Sequence, residues 1–344
     1  MQQFGMQQAV RLAVFGFGGL GRGMARLAPH RPDFKLVAVA DSQGYAYNAK
    51  GLELTEAFNL QQPLINDSDS MISLLKQHGH EIDAVFMALP NLPVEFFAET
   101  VKRIAEETGF QGVFVDALKR TEAVERLFAL SDELRAHNIL YITGAGATPG
   151  FLTTIAAVAA HSFVEVLDVN IHFGVGIANW ESYKSTVRED FIHLEGFDAK
   201  RVSCMSDEEI GQELDVRNGL LKLVDMEHAD DVILELAGVC PRDRVRVGGL
   251  VDTRNAKKPV STSVTVTGRT VSGSVGCHQF VVSDEATMVD NVCGPALGFM
   301  LRGIELHQRG FTGLITSADI MPRFSTRVFG APAPAQQREA VALV

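Results

Sequence analysis

The first forty residues confine this chain to a small set of folds. Val10–Phe15 is a short, nearly continuous apolar run, as expected of a strand buried on both faces of a parallel sheet. It leads directly into Gly16-Phe17-Gly18-Gly19-Leu20-Gly21 and then into a segment of helical character, residues 22–27. In that pattern Gly16 makes a tight turn, Gly18 lets the backbone approach a pyrophosphate, and Gly21 lets the helix pack close to the strand. The amides and positive dipole end of the helix start favour the phosphates. A second apolar run, residues 35–40, ends in Asp41, where a carboxylate can accept from ribose hydroxyls. Strand, glycines, helix, second strand and terminal acid together predict dinucleotide binding far more strongly than the glycines alone. The cofactor expected is NAD or NADP. Asp41 favours NAD, although it also suits a turn with Ser42, and Arg22 could hold a 2′-phosphate.

The rest of the first half continues the alternation of strand and helix. Helices are predicted over 71–77 and 94–107 around a strand at 84–89, whose end brings Leu89, Pro90 and Asn91 to the cofactor edge. The apolar run 112–118 closes on Lys119, placing an amine at the carboxyl end of a strand, where it faces the crevice of such a sheet. A strand-end lysine also fits a phosphate contact or a solvent-exposed position. One amphipathic helix is expected over 121–135, then a strand at 139–143. The turn Gly144-Ala-Gly146-Ala-Thr148-Pro-Gly150 should bring backbone amides close to a ligand. Beyond about residue 160, segments 164–172, 259–267 and 271–282 alternate or are rich in branched residues, as in a mixed or antiparallel sheet.

These elements predict an α/β protein: a Rossmann doubly wound parallel sheet with a second α+β domain built on a mixed or antiparallel sheet. The expected division is 1–150 for dinucleotide binding, 151–290 for substrate binding and dimerisation, 291–324 as a helical return to the first domain, and 325–344 as a disordered Ala/Pro-rich tail. A chain of 344 residues with 46% hydrophobic side chains can bury two such cores. The formal charge of −11 argues against a nucleic-acid or membrane-surface partner, and no apolar stretch approaches a membrane span. A cytoplasmic homo-oligomer acting on a small molecule is expected. The four cysteines form no C-x-x-C pair, and His78 and His80 have no further ligand nearby, so no metal is expected.

Residues 112–150, with their Asp-Ala-Leu-Lys119 and Gly-Ala-Gly-Ala-Thr-Pro-Gly strand ends, resemble the corresponding region of homoserine dehydrogenases. The Ala147–Gly150 turn is also similar to that of saccharopine dehydrogenases. The stretch 174–190, together with Met226-Glu-His228, resembles the BioU family, the 8-amino-7-oxononanoate carboxylating dehydrogenases of biotin synthesis. That resemblance implies that Lys119 is itself the nitrogen donor. It forms an imine with the C7 ketone, reduction by the nicotinamide gives a secondary amine, and carbon dioxide or bicarbonate supplies a carbamate. Return of a hydride to the cofactor and hydrolysis then release 8-amino-7-(carboxyamino)nonanoate, leaving Lys119 as an aldehyde after one turnover.

For that chemistry the amine must lose its proton, through desolvation or a cationic neighbour such as Arg120. His228 is the candidate for assisting carboxylation or proton transfer, although a histidine beside Asp230 and Asp231 equally suits a salt-bridged position. Arg188 is the candidate for the substrate carboxylate unless it pairs with Glu189 or Asp190, and Thr148 and Tyr183 are further substrate candidates. Two other readings stay open: a multiple-turnover dehydrogenase of an amino acid or semialdehyde, and a nucleotide-sensing protein without chemistry.

Overall fold

Two sheets organise the chain in the computed structural model, which describes residues 9–55, 59–89, 93–177, 180–283 and 288–325. The first sheet begins with β1 (Val10–Phe15), β2 (Phe34–Asp41), β3 (Gly44–Tyr47), β4 (Ile65–Asn66), β5 (Ala84–Met87), β6 (Val113–Asp116) and β7 (Leu140–Thr143). The second contains β8 (Glu165–Gly176), β9 (Leu220–Leu223), β10 (Val245–Asp252), β11 (Thr262–Arg269) and β12 (Val275–Val282), after which β13 (Gly313–Thr316) returns to the first.

The first sheet has the order β13-β7-β6-β5-β1-β2-β3-β4. It is parallel from β13 to β2, with β3 and β4 antiparallel at one edge. Its central strands read as unbroken apolar runs because both faces are covered. Val14, Phe86 and Val115 belong to one buried cluster and Phe15, Val85 and Phe114 to the other. Each fully buried phenylalanine contributes roughly 1.5–3 kcal/mol relative to an exposed one. The helix Glu95–Thr108 covers one face through Phe97, Val101 and Ile104. The helix Met288–His307 covers the other through Ala296, Leu297 and Met300. That long helix lies very close to the sheet, since a Cβ added at Gly303 would stand 2.6 Å from Ile142.

The second sheet, β12-β11-β8-β10-β9, is mixed: β8 and β10 are parallel and every other pairing is antiparallel. Alternate residues of β10 and β11 are buried, and they pack with the helices Phe151–Ala160 and Lys184–Ile192 around Val169, Val187, Phe191 and Val264. The α/β class with a parallel-rich sheet and a second mixed sheet is therefore the architecture present.

Some elements differ from the sequence expectation. The predicted helix 121–135 is two helices, Thr121–Phe128 and Ser131–Ala136, because Ala129 and Leu130 turn between them. Strands β9, β10 and β13 have no counterpart in the sequence reading; β13 follows the long helix and pairs with β7. The expected tail lies outside the described residues apart from Ser325. Among the described residues no helix is long and apolar enough to cross a membrane.

Candidate active site

The strand order reverses between β1 and β5, and such a reversal opens a crevice at the carboxyl ends of the strands. Here the crevice is a cavity of about 810 Å³ that runs from the glycine turn after β1 to the end of β8.

Two glycines of the turn are sterically required. Gly16 has φ +85°, and a Cβ there would meet the Ala88 carbonyl oxygen at 2.3 Å; a Cβ on Gly21 would stand 1.8 Å from the Gly16 oxygen. Gly18 is different: nothing lies within 4 Å of its Cβ position, so no protein atom demands a glycine there. Bare backbone facing open cavity at the start of the helix Gly19–Leu27 suits a ligand phosphate. Phe17, Gly18, Gly19, Leu20, Asp41, Ser42 and Leu89 all line the cavity, while Gly21 lies beneath the turn. The Asp41 carboxylate accepts from the Gln43 amide at 2.8 Å. Arg22 donates to the Phe17 carbonyl at 3.0 Å and to Asn59, and it does not line the cavity. Pro90 and Asn91 lie outside the described residues.

Lys119 enters the same cavity from the end of β6. Asp116, fully buried, sets the strand end by accepting from the amides of Leu118 at 3.0 Å and Gly144 at 2.7 Å and from the Thr143 hydroxyl. Burial pushes this carboxyl up to about 6 even though the donors favour its charged form. The Lys119 carbonyl accepts from the Ala229 amide at 2.8 Å, which ties the lysine to the segment carrying His228.

Lys119 Nζ stands 3.1 Å from Asp190 Oδ1 and 3.3 Å from Glu189 Oε2, and both carboxylates are nearly buried and line the cavity. Burial alone would lower the amine's pKa, but the two acids outweigh it and raise it above the ordinary value. The expectation of an amine depressed by Arg120 is thus reversed. The Arg120 guanidinium lies 3.8 Å from Glu227 instead. His193 is pushed below its ordinary value by burial and by the charge of Lys119.

His228 is 4% exposed and lines the cavity, with Nδ1 2.7 Å from Asp230 Oδ2, an approach oblique to the ring N–H direction. Asp230 is fully buried and accepts from the hydroxyls of Thr148, at 2.5 Å, and Thr153. Thr148 therefore lines the cavity as part of a network that also orients the histidine segment.

Two candidates lie off the cavity wall, and a third lines it. Arg188 does not reach the cavity: it pairs with Asp207 at 2.7 Å and donates to the carbonyls of Val202 and Met205, because it projects from the other side of its helix. Gly146 is packed beneath the turn, with its carbonyl accepting from the Phe151 amide at 3.0 Å, so it does not form the wall. Tyr183 lines the cavity beside the glycine turn, its ring 2.7 Å from where a Gly19 Cβ would be.

The sequence reading missed Glu189 and Asp190 as partners of the lysine, and a signal was available. Val187, Asp190, Phe191 and Leu194 follow the i, i+3, i+4, i+7 spacing of a buried helix stripe, and an acid within such a stripe requires a cationic partner. Asp116 and Asp230 carry no comparable signal, since their partners come from distant segments.

No protein-family model matches the chain. Among solved structures it is similar to diaminopimelate (DAP) dehydrogenase of C. glutamicum in complex with DAP, at 13% identity, TM-score 0.53, 92% of this chain and 95% of that one. It is also similar to a mutant meso-DAP dehydrogenase of Clostridium tetani E88, at 13% identity and TM-score 0.54, over 91% of this chain and 94% of that one. At that level the likeness is one of fold. A curated protein of Haloferax mediterranei, (S)-8-amino-7-oxononanoate synthase BioU, is 37% identical over 92% of this chain and 99% of its own length. Identity of that extent over nearly both full lengths places the chain in the BioU family.

Proposed function

We propose that this chain acts in biotin synthesis by converting 8-amino-7-oxononanoate to 8-amino-7-(carboxyamino)nonanoate, with Lys119 as the donor of the nitrogen. The observation that carries the reading is the Lys119 amine held by Glu189 and Asp190 in the same cavity as the open glycine turn. The relative's name associates that protein with the same amino-oxo acid.

A pyridine nucleotide fits the residues present, because Gly18 leaves its Cβ space open at a helix start and Asp41 offers a carboxylate at the end of β2. Asp41 favours NAD, since a carboxylate accepts from ribose hydroxyls and repels a 2′-phosphate. The glycine turn and Asp41 would hold the nucleotide, which would supply hydride-transfer chemistry at the lysine–substrate nitrogen with no net change in its redox state.

The chain's own groups do the rest. Asp190 or Glu189 accepts a proton from the Lys119 ammonium, which frees the amine to attack the C7 ketone, and water leaves as the imine forms. Asp116 and the Ala229 amide fix the backbone on either side of the lysine, so the amine is presented at a defined point. His228, seated against Asp230, is placed to exchange protons as the new nitrogen takes up its carboxyl group and as water finally releases the product. Hydrolysis leaves the lysine ε-carbon as an aldehyde. Incubation with substrate, reduced cofactor and bicarbonate, followed by hydrazide labelling and peptide mapping, tests this directly: the label should map to residue 119, and Lys119→Arg should take up none. Label-free protein with product present would refute the donor role.

The raised proton affinity of Lys119 favours one competing reading, in which the residue is a permanent ammonium that polarises a carbonyl during ordinary dehydrogenase turnover. That reading predicts an intact Lys119 after reaction.

A further inference from the structure

Two acids flank one amine in the cavity, and the proposed reaction has proton work at the lysine for only one of them. Glu189 and Asp190 are neighbours on the helix Lys184–Ile192, and both are buried there. Both reach Lys119 Nζ: Asp190 accepts a hydrogen bond from it at 3.1 Å, and Glu189 stands at 3.3 Å. Both also line the cavity, so the pair already grips an ammonium at a place open to a ligand.

A carboxylate as buried as these is stable only with a cation or donors at hand. Imine formation takes that cation away. A proton passes from the Lys119 ammonium to Asp190, its hydrogen-bonded partner; the Nζ–C7 bond forms, and the ketone oxygen leaves as water with the amine's remaining protons. Asp190 is neutral once it holds the proton. Glu189 keeps its charge, and whenever the lysine nitrogen is neutral, as free amine or as carbamate, its ion pair with Nζ is gone.

The substrate carries a replacement. We infer that Glu189 binds the ammonium on C8 of the amino ketone, taking it as counter-ion when Lys119 gives up its charge; the inference rests on the function proposed above and names the group that distinguishes an amino ketone from a plain one. That amino group sits on the carbon next to the ketone, so once C7 is joined to Nζ it stands three bonds from the nitrogen that Glu189 already reaches. A carboxylate offers about four acceptor positions, so Glu189 can receive the new ammonium while its other contacts persist. Charge also sets the direction of entry. The two acids attract the ammonium end and repel the substrate's carboxylate, so the ketone leads toward Lys119.

Calorimetry on the full chain loaded with oxidised cofactor tests this without any reduction step, using 8-amino-7-oxononanoate and 7-oxononanoate, which lacks only the amine, as ligands. Wild-type protein should bind the amino ketone about tenfold or more tightly, as one charged hydrogen bond in a buried site gives. Glu189→Gln should lose that preference and bind 7-oxononanoate as wild type does, which a merely damaged cavity would not do. Glu189→Asp, which keeps the charge, should retain part of the preference, and Asp190→Asn should leave the ratio of the two affinities unchanged. Equal binding of the two ketones by wild type overturns the inference whether or not the variants fold. An undiminished preference in Glu189→Gln, or its loss in Asp190→Asn, overturns it as well. The donor reading is judged separately: a preference lost in Glu189→Gln alongside an unconsumed Lys119 under full reaction conditions would leave the ammonium site standing and remove the donor.

Discussion

Lys119 Nζ lies 3.1 Å from Asp190 Oδ1, and Asp190 sits in the buried stripe of its helix. The amine is thus held as an ammonium against a buried carboxylate. The amine's pKa is raised above its ordinary value, so the stabilising contact is complete at neutral pH and is lost only as pH climbs through that raised value.

It follows that imine formation in the wild type should accelerate as pH rises from neutral into the alkaline range. In Asp190→Asn one carboxylate is gone, so burial weighs more heavily against the charged amine, and the pH profile should move to lower pH. Single-turnover rates measured from pH 6 to 10 check this. An unmoved profile would show that Asp190 does not control the proton on Lys119.

The buried carboxyl of Asp116 titrates near 6, above its ordinary 3.8, because burial disfavours its charge. For a raised carboxyl the favourable contribution to stability is present below the unfolded value and disappears as pH rises through the folded one. Between about pH 4 and 6 the wild type should therefore lose roughly 3 kcal/mol relative to Asp116→Asn, at ~1.4 kcal/mol per unit. Paired urea denaturation curves at pH 4, 5, 6 and 7 measure that difference.

Gly18 and Gly21 should behave oppositely when replaced by alanine. Gly21→Ala drives a methyl into the Gly16 carbonyl and should destabilise the fold by several kcal/mol, on the order of a badly overpacked core position. Gly18→Ala meets no protein atom and has an extended backbone, so thermal stability should stay close to wild type while nicotinamide affinity falls at least tenfold. Thermal melts with cofactor titrations separate the two effects.

Asp41→Ser removes the carboxylate that faces the cavity. The ratio of NADP to NAD affinity should rise about tenfold or more, with NAD itself weakened, as read by fluorescence titration with both reduced cofactors.

His228 and Asp230 form a buried pair at the cavity wall. His228→Asn should leave cofactor binding intact and slow product release from the lysine by about 100-fold, the lower end of what a positioned acid–base group contributes. Quench-flow separation of the reduction and release phases locates the defect.

Much of the first sheet was legible because its signals are local. The strand, glycine turn and Asp41 lie within about thirty residues, and double-sided burial wrote β1, β5 and β6 as unbroken apolar runs. Lys119 was legible for the same reason, as a polar residue ending such a run. Strands β9 and β13 were not: Leu220–Leu223 is interrupted by Lys222 and Gly313–Thr316 holds only two apolar residues, so neither offers the unbroken run that marks β5 and β6 at the same length. The surroundings of Lys119 were harder still. Glu189 and Asp190 are seventy residues away, and the pairing of Arg188 with Asp207 depends on which side of one helix faces the core. Adjacent charges in sequence thus go to opposite sides, the one local trace being the Val187, Asp190, Phe191, Leu194 spacing that places Asp190 in the buried stripe.

The central claim is that the chain gives up the nitrogen of Lys119. It is tested most directly by quantifying product against protein under excess 8-amino-7-oxononanoate, reduced cofactor and bicarbonate, with intact-protein mass spectrometry of the same samples. Product should level off at one molecule per active chain while Lys119 becomes an aldehyde. Product accumulating well beyond one per chain with Lys119 unchanged would contradict it.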